Sequence, residues 1–137
     1  MENLSFLIRD FFKEEAPSLE QLQKFKDRSS DIVLPNDYLE FISLNNGAEG
    51  DLGNSHYLAL WNIDDVNYIN NQYSNDPIFG QYFIFGSSGG TFHYAFDRKK
   101  GGVYEIDLYD YGYQRYMSAN VTELAEKLSK NDDLIVL

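Results

Sequence analysis

The segment "FGSSGGTF", residues 85 to 92, decides the fold because it can be read in two ways. Gly86, Ser88 and Gly90 have the G-x-S-x-G spacing of a nucleophile elbow, in which a strand ends, a serine is exposed on a sharp turn and a helix begins. After Ser88, however, the chain runs into "TFHYAFD", a β-branched and aromatic stretch of period two, so the turn joins strand to strand. A hydrolase of the elbow type also needs a histidine well downstream of its serine, whereas His56 precedes Ser88 and His93 stands five residues after it. The segment is therefore expected to be a hairpin. Its glycines would supply positive backbone dihedrals, and Ser87 and Ser88 would bond local amides.

Working outward, "HYLALW" and "QYFIFG" read as strands before the hairpin, "GVYEIDLY" as one after the turn "RKKGG", and "YQRYM" offers a fifth. Strands are expected near 57–61, 82–86, 91–97 and 103–108. Helical spacing of Leu4, Leu7, Ile8 and Phe11 predicts a helix near 4–14, and Ser18 with Gln21 caps a second near 18–28 whose stripe is Leu19, Leu22 and Phe25. A third, near 36–45, starts after Leu34-Pro35, buries Tyr38, Phe41 and Ile42, and stops at Gly47 in a left-handed conformation. Others are expected near 64–73, with Val66, Ile69 and Tyr73 on one side, and near 120–130, started by Asn120 and Glu123. Closely spaced strands with short turns imply an antiparallel meander. The fold class is α+β: a single domain over residues 1–137, with a sheet of about four to six strands and helices packed on it.

Composition narrows the chemistry. The chain has no cysteine, which removes disulfides, thiolate zinc sites and cysteine nucleophiles together. The start "MENLSFLIRDFFKEEAPS" has neither a basic opening before an apolar run nor a small-residue cleavage site, and no stretch has the length of a membrane helix, so a cytoplasmic protein is expected. No G-x-G-x-x-G or lysine-containing phosphate loop occurs, and the glycines after Phe85 do not open a helix that would bind phosphate. Two histidines far apart do not make a zinc constellation. Asp64 and Asp65 could be paired acids, but starting a helix explains them more cheaply, and Asp107 and Asp110 could be a loop that contacts a partner, with a solvated hairpin end as the plainer reading. The expectation is no catalytic residue, no metal and no cofactor.

Charge and tyrosine carry the remaining signal. The net charge is −11, and from Ser29 to Asp97 there are nine acids and no lysine or arginine. Such a field repels nucleic acid and anionic membranes and attracts basic partners, although acids also serve solubility alone. Glu49, Asp51, Asp64, Asp65 and Asp76 sit in or beside expected loops and helix starts, where they can face a partner. Eleven tyrosines, among them Tyr109, Tyr111 and Tyr113 in one stretch, exceed what a core of this size requires. Exposed tyrosine beside acid is a recognition composition, because the ring adds area at small entropy cost and the hydroxyl adapts its hydrogen bond. The plainer alternative is that these rings only cover the sheet.

The order "LPNDYLEFISLNNGAEGDL", "LALWNIDDV", "YFIFGSSGGTFHYAFD", "GGVYEID" resembles the SUKH superfamily, bacterial immunity proteins related to a fungal cell-wall synthesis regulator. The resemblance runs over about residues 18–128. On that pattern a helix containing Tyr38 follows Leu34-Pro35 and ends at Gly47, and Trp61 closes a strand. A turn with Gly86, Gly89 and Gly90 then enters a strand ending at Asp97. The resemblance implies a non-enzymatic domain that binds and neutralises a polymorphic toxin, often a nuclease, hence a basic protein partner. A regulatory or scaffold module unconnected to toxins is the alternative, and a homodimer is left open.

Overall fold

The turn at residues 88–91 joins two antiparallel strands in the computed structural model, which describes residues 3–130. The strand before it, Tyr82–Ser87, is fully buried, and the strand after it, Phe92–Asp97, pairs with it from Ser87↔His93 to Tyr82↔Asp97. In chain order the elements are α1 (Leu4–Leu7), β1 (Phe12–Lys13), α2 (Leu19–Arg28), α3 (Asn36–Leu44), β2 (Ala48–Leu52), β3 (His56–Leu60) and α4 (Ile63–Tyr73). A short 3-10 turn at Phe79–Gln81 leads into β4 (Tyr82–Ser87), β5 (Phe92–Asp97), β6 (Val103–Asp107), β7 (Asp110–Ser118) and α5 (Val121–Lys130). The seven strands lie side by side in that same order, every pair antiparallel.

The α+β meander is as expected, with β1 and β2 added to the strands that the sequence pattern announces. β2 escapes because "AEGDL" carries Glu49, Gly50 and Asp51, all poor strand formers. The strand nevertheless alternates, with Ala48 and Leu52 buried and Glu49 and Asp51 exposed, and it pairs with β3 over five positions. The first helix stops at Leu7 rather than near residue 14. A Cβ at Gly50 would lie 2.6 Å from the Phe11 ring, so Phe11 fits a notch that only glycine leaves open, and the chain then pairs as Phe12↔Glu49 and Lys13↔Ala48. Tertiary packing overrides the helical spacing here. Leu19, expected in the stripe of α2, is 86% exposed, and Phe25 alone is fully buried there.

The expected caps of α2 and α5 form. Ser18 Oγ accepts from the Gln21 N–H at 3.1 Å. Asn120 Oδ1 accepts from the Glu123 N–H and caps α5, while Glu123 Oε2 accepts from the N–H of Ala119, the residue before the cap. α3 does not stop at Gly47 as expected: it ends at Leu44 on an extended Asn45, and Gly47, with φ +102°, turns the chain into β2. Asp37 does not cap α3; its Oδ2 accepts from the Thr122 N–H and hydroxyl, both at 2.7 Å, and so ties α3 to the start of α5.

Strand alternation divides the apolar side chains into two cores. Phe83, Phe85, Tyr94, Phe96 and Val103 pack with residues of α1, α2, α3 and α5, while Tyr82, Ile84, Ala95 and Ile106 form a smaller cluster with Phe79. α4 reaches both: Ile63 and Val66 join the first, Ile69 and Tyr73 the second. At the centre of the first, Tyr38 is 0% exposed and meets the rings of Phe25, Phe85 and Phe96, yet its hydroxyl has no hydrogen-bond partner. Burial raises its pKa accordingly. Removing an unpaired buried hydroxyl removes a desolvation cost. Tyr38→Phe should therefore keep the fold and raise stability by about 1 kcal/mol, seen as a higher urea midpoint at unchanged slope.

Candidate functional site

The structure sorts the expected acids into three situations. Glu49 and Asp51 are on the outward side of β2, not in a loop, and Glu49 Oε1 accepts from the Tyr57 hydroxyl at 2.7 Å. That bond pushes the Tyr57 pKa up to about 12. Asp64 and Asp65 occupy the first turn of α4, where negative charge complements the helix dipole. The cap itself is Asn62, whose Oδ1 accepts from the Asp65 N–H at 2.8 Å, and Asn46 Oδ1 accepts from the Ile63 N–H at 2.8 Å. Asp64 and Asp65 therefore serve the helix start through their charge alone, just after Trp61 in the chain.

Asp76 is committed elsewhere. Its Oδ1 accepts from the Phe79 and Ile78 N–H groups at 2.8 and 2.9 Å, and its Oδ2 accepts from the Tyr111 hydroxyl at 3.0 Å. These bonds, the one from Phe79 first, hold its pKa below the usual carboxylate range. Asp76 thus holds the loop after α4 and joins it to β7.

The three tyrosines do not form one patch. Tyr109, 95% exposed, stands at the tip of the β6–β7 hairpin. The ladder between these strands shifts register between Ile106↔Gln114 and Asp107↔Asp110, and the extra residues turn successive rings to different neighbours. Tyr111 packs on Phe79 and bonds Asp76, whereas Tyr113 stacks on Phe92 and donates to Glu105 at 2.6 Å.

The glycines and Asp97 of the motif have separate jobs. Gly89 has φ +83°, and its N–H donates to Ser87 Oγ. Gly86 has no left-handed dihedral, but a Cβ there would lie 2.2 Å from the Ala59 carbonyl oxygen. Gly90 has neither feature, with open space around it. Asp97 Oδ1 accepts from the Lys99 and Lys100 N–H groups and so shapes the turn to β6. Leu34 is half-buried beside the larger core, and Pro35 provides the extended entry to α3.

Ser88 lines a cleft of about 490 Å³ together with His56, Tyr94, Glu105, Tyr113 and Arg115. Its hydroxyl donates to the Phe92 carbonyl at 3.3 Å across the turn, and Glu105 already accepts from Tyr113. The serine hydroxyl is thus hydrogen-bonded to a backbone acceptor within its own turn. Among the described residues no group of three or more histidine and acidic side chains is placed to hold a metal ion, and no helix is long and apolar enough to cross a membrane.

Trp61 is the residue around which acids do converge. It lines a groove of about 270 Å³ with Phe12, Glu14, Glu49, Asn62 and Asp65. It also lines, with Asp65, Tyr68, Ile69 and Gln72, a shallow cup of about 210 Å³. Glu14 and Tyr68 are additions to the residues expected from sequence. Glu14 lies before the base-free stretch and is brought in by β1, where its N–H donates to the Gly47 carbonyl. Tyr68, 66% exposed, sits on the outer side of α4, which no burial pattern singles out.

No curated protein matches the chain. The meander with its helical layer, the turn at Gly86–Gly90 and the groove at Trp61 all lie largely within the match to the SMI1 / KNR4 family (SUKH-1), which extends over residues 16–127; the chain belongs to that family.

Proposed function

We propose that this chain is a cytoplasmic, non-catalytic immunity protein that binds a basic toxin domain through the acid-bearing surface around Trp61. The family includes immunity proteins, and its domains bind partner proteins. The observation that carries the reading is the groove in which Glu14, Glu49 and Asp65 meet at Trp61, within a chain of net charge −11 whose residues 29–97 contain no lysine or arginine. A toxin that acts on phosphodiesters is basic, and a field of this sign speeds its encounter.

The test is stopped-flow association with the basic protein encoded beside this chain's gene, at two ionic strengths. The Debye length falls from about 30 Å at 0.01 M to about 8 Å at 0.15 M, so association should slow several-fold over that range. Changing Glu49→Gln with Asp51, Asp64 and Asp65 to asparagine should slow it several-fold at low salt while dissociation changes less. Asp76 is left intact because it holds its loop. A rate indifferent to salt and to the variant would defeat the acidic-surface reading. Absence of any complex would favour a regulatory module instead.

A further inference from the structure

The cup beside Trp61 has a more specific chemistry than the acids around it. It is lined by the aromatic Trp61 and Tyr68 and by Ile69, together with Asp65 and Gln72. We infer that this cup receives a single arginine side chain of a basic protein partner, its guanidinium against the two rings and its charge facing Asp65. The inference rests on the reading that the partner is a basic protein, and it names the point of attachment.

Both rings are braced before anything binds. The Trp61 ring meets His93 edge-on, with centroids 5.5 Å apart and planes at 87°. On α4, Gln72 Nε2 donates to the Tyr68 hydroxyl at 3.2 Å, one turn away, which restrains the ring from the helix side. Rings held in this way spare the ordering cost that weakens most surface contacts. The indole and phenol faces attract a cation through their quadrupoles, and a guanidinium also stacks flat where an ammonium cannot. Charge complementarity favours the cationic occupant. Asp65 is shared between the cup and the groove holding Glu14 and Glu49, and no lysine or arginine lies in the sequence from residue 29 to 97. An uncharged apolar side chain would leave Asp65 partly desolvated with nothing to offset it.

Trp61 is the only tryptophan, so its emission reports on the cup directly. The probe is a capped Gly-Arg-Gly tripeptide, compared with its Gly-citrulline-Gly counterpart, which keeps the shape and removes the charge. The arginine peptide should change Trp61 emission saturably, and the citrulline peptide should not saturate over the same range. Tyr68→Ala and Asp65→Asn, both surface changes on a formed helix, should each raise the half-saturation concentration about three- to five-fold. Glu20→Gln, an exposed acid on α2 paired with Lys24, alters net charge equally and should leave it unchanged. Equal responses to both peptides, no saturable response, or equal losses in Glu20→Gln and Asp65→Asn would overturn the inference. The two readings fail separately. A saturable arginine response without toxin association removes the immunity role and keeps the cup, whereas toxin association with no effect of Tyr68→Ala removes the cup and keeps the role.

Discussion

Asn70→Ala should lower stability by about 3 to 5 kcal/mol, although Asn70 lines neither the groove nor the cup at Trp61. Its amide stands in for a missing strand. β3 and β4 pair at only two positions, Ala59↔Ser87 and Leu60↔Gly86, and beyond them Ile84 has no partner strand on that side. Asn70 Oδ1 accepts from the Ile84 N–H at 2.8 Å, and its Nδ2 donates to the Ile84 and Val66 carbonyls, both at 2.8 Å. Ile84 is 0% exposed, so truncating Asn70 leaves two buried backbone groups without their partners. Each such group costs about 1–3 kcal/mol. Asn70→Asp should recover little, since it keeps one acceptor and turns a carboxylate toward two carbonyls. Urea unfolding of the three proteins is the measurement, and a loss below about 1 kcal/mol in Asn70→Ala would mean that Ile84 finds other partners.

Gly86→Val should cost about 3 kcal/mol or more, while Gly90→Ala in the same turn should change stability by less than about 0.5 kcal/mol. A Cβ at Gly86 would meet the Ala59 carbonyl oxygen at 2.2 Å, which is backbone and cannot swing aside as a side chain can. Ala59 and Leu60 are also the only residues of β3 that pair with β4, so relieving the clash breaks the seam between the two parts of the sheet. Gly90 meets nothing within 4 Å and has an ordinary dihedral. Thermal or urea unfolding of both variants tests the contrast. A Gly86→Val protein as stable as the parent would show that β3 and β4 can separate at no cost.

These glycines also show what the sequence made legible. The period-two run after Ser88 revealed the hairpin, and with it the antiparallel class, because alternation is a direct image of a half-buried strand. The reason for each glycine was not legible, since close approach, positive φ and an open surface look alike as a letter. β2 was hidden by Glu49-Gly50-Asp51, where pairing to β3 and the Phe11 notch outweigh propensity. Glu49 and Asp65 were readable from charge, but Glu14 was not, and neither was the sorting: only the fold shows Asp76 tied to its loop and Asp65 beside Trp61. Tyr68 gave no signal, as an exposed ring on a helix resembles any surface residue. Asn70 in "INNQY" looks equally ordinary, because the partner that matters is a backbone 14 residues away.

Strands that succeed one another in the sheet as they do in the chain leave few long loops to close. Four hairpins, β2–β3, β4–β5, β5–β6 and β6–β7, are linked by turns of two to five residues, and closing such turns is fast and entropically cheap. Three junctions are different: β1 reaches β2 only after α2 and α3, β3 reaches β4 only after α4, and α1 packs against α5 from the other end of the described chain. Contacts of that separation raise contact order and form late. The molecule should therefore behave as two cooperative units of unequal strength. The β4–β7 block would keep its amide protons longest, and the arm holding α1 and β1 would be the first to exchange with solvent, carrying Glu14 away from Trp61 each time it opens.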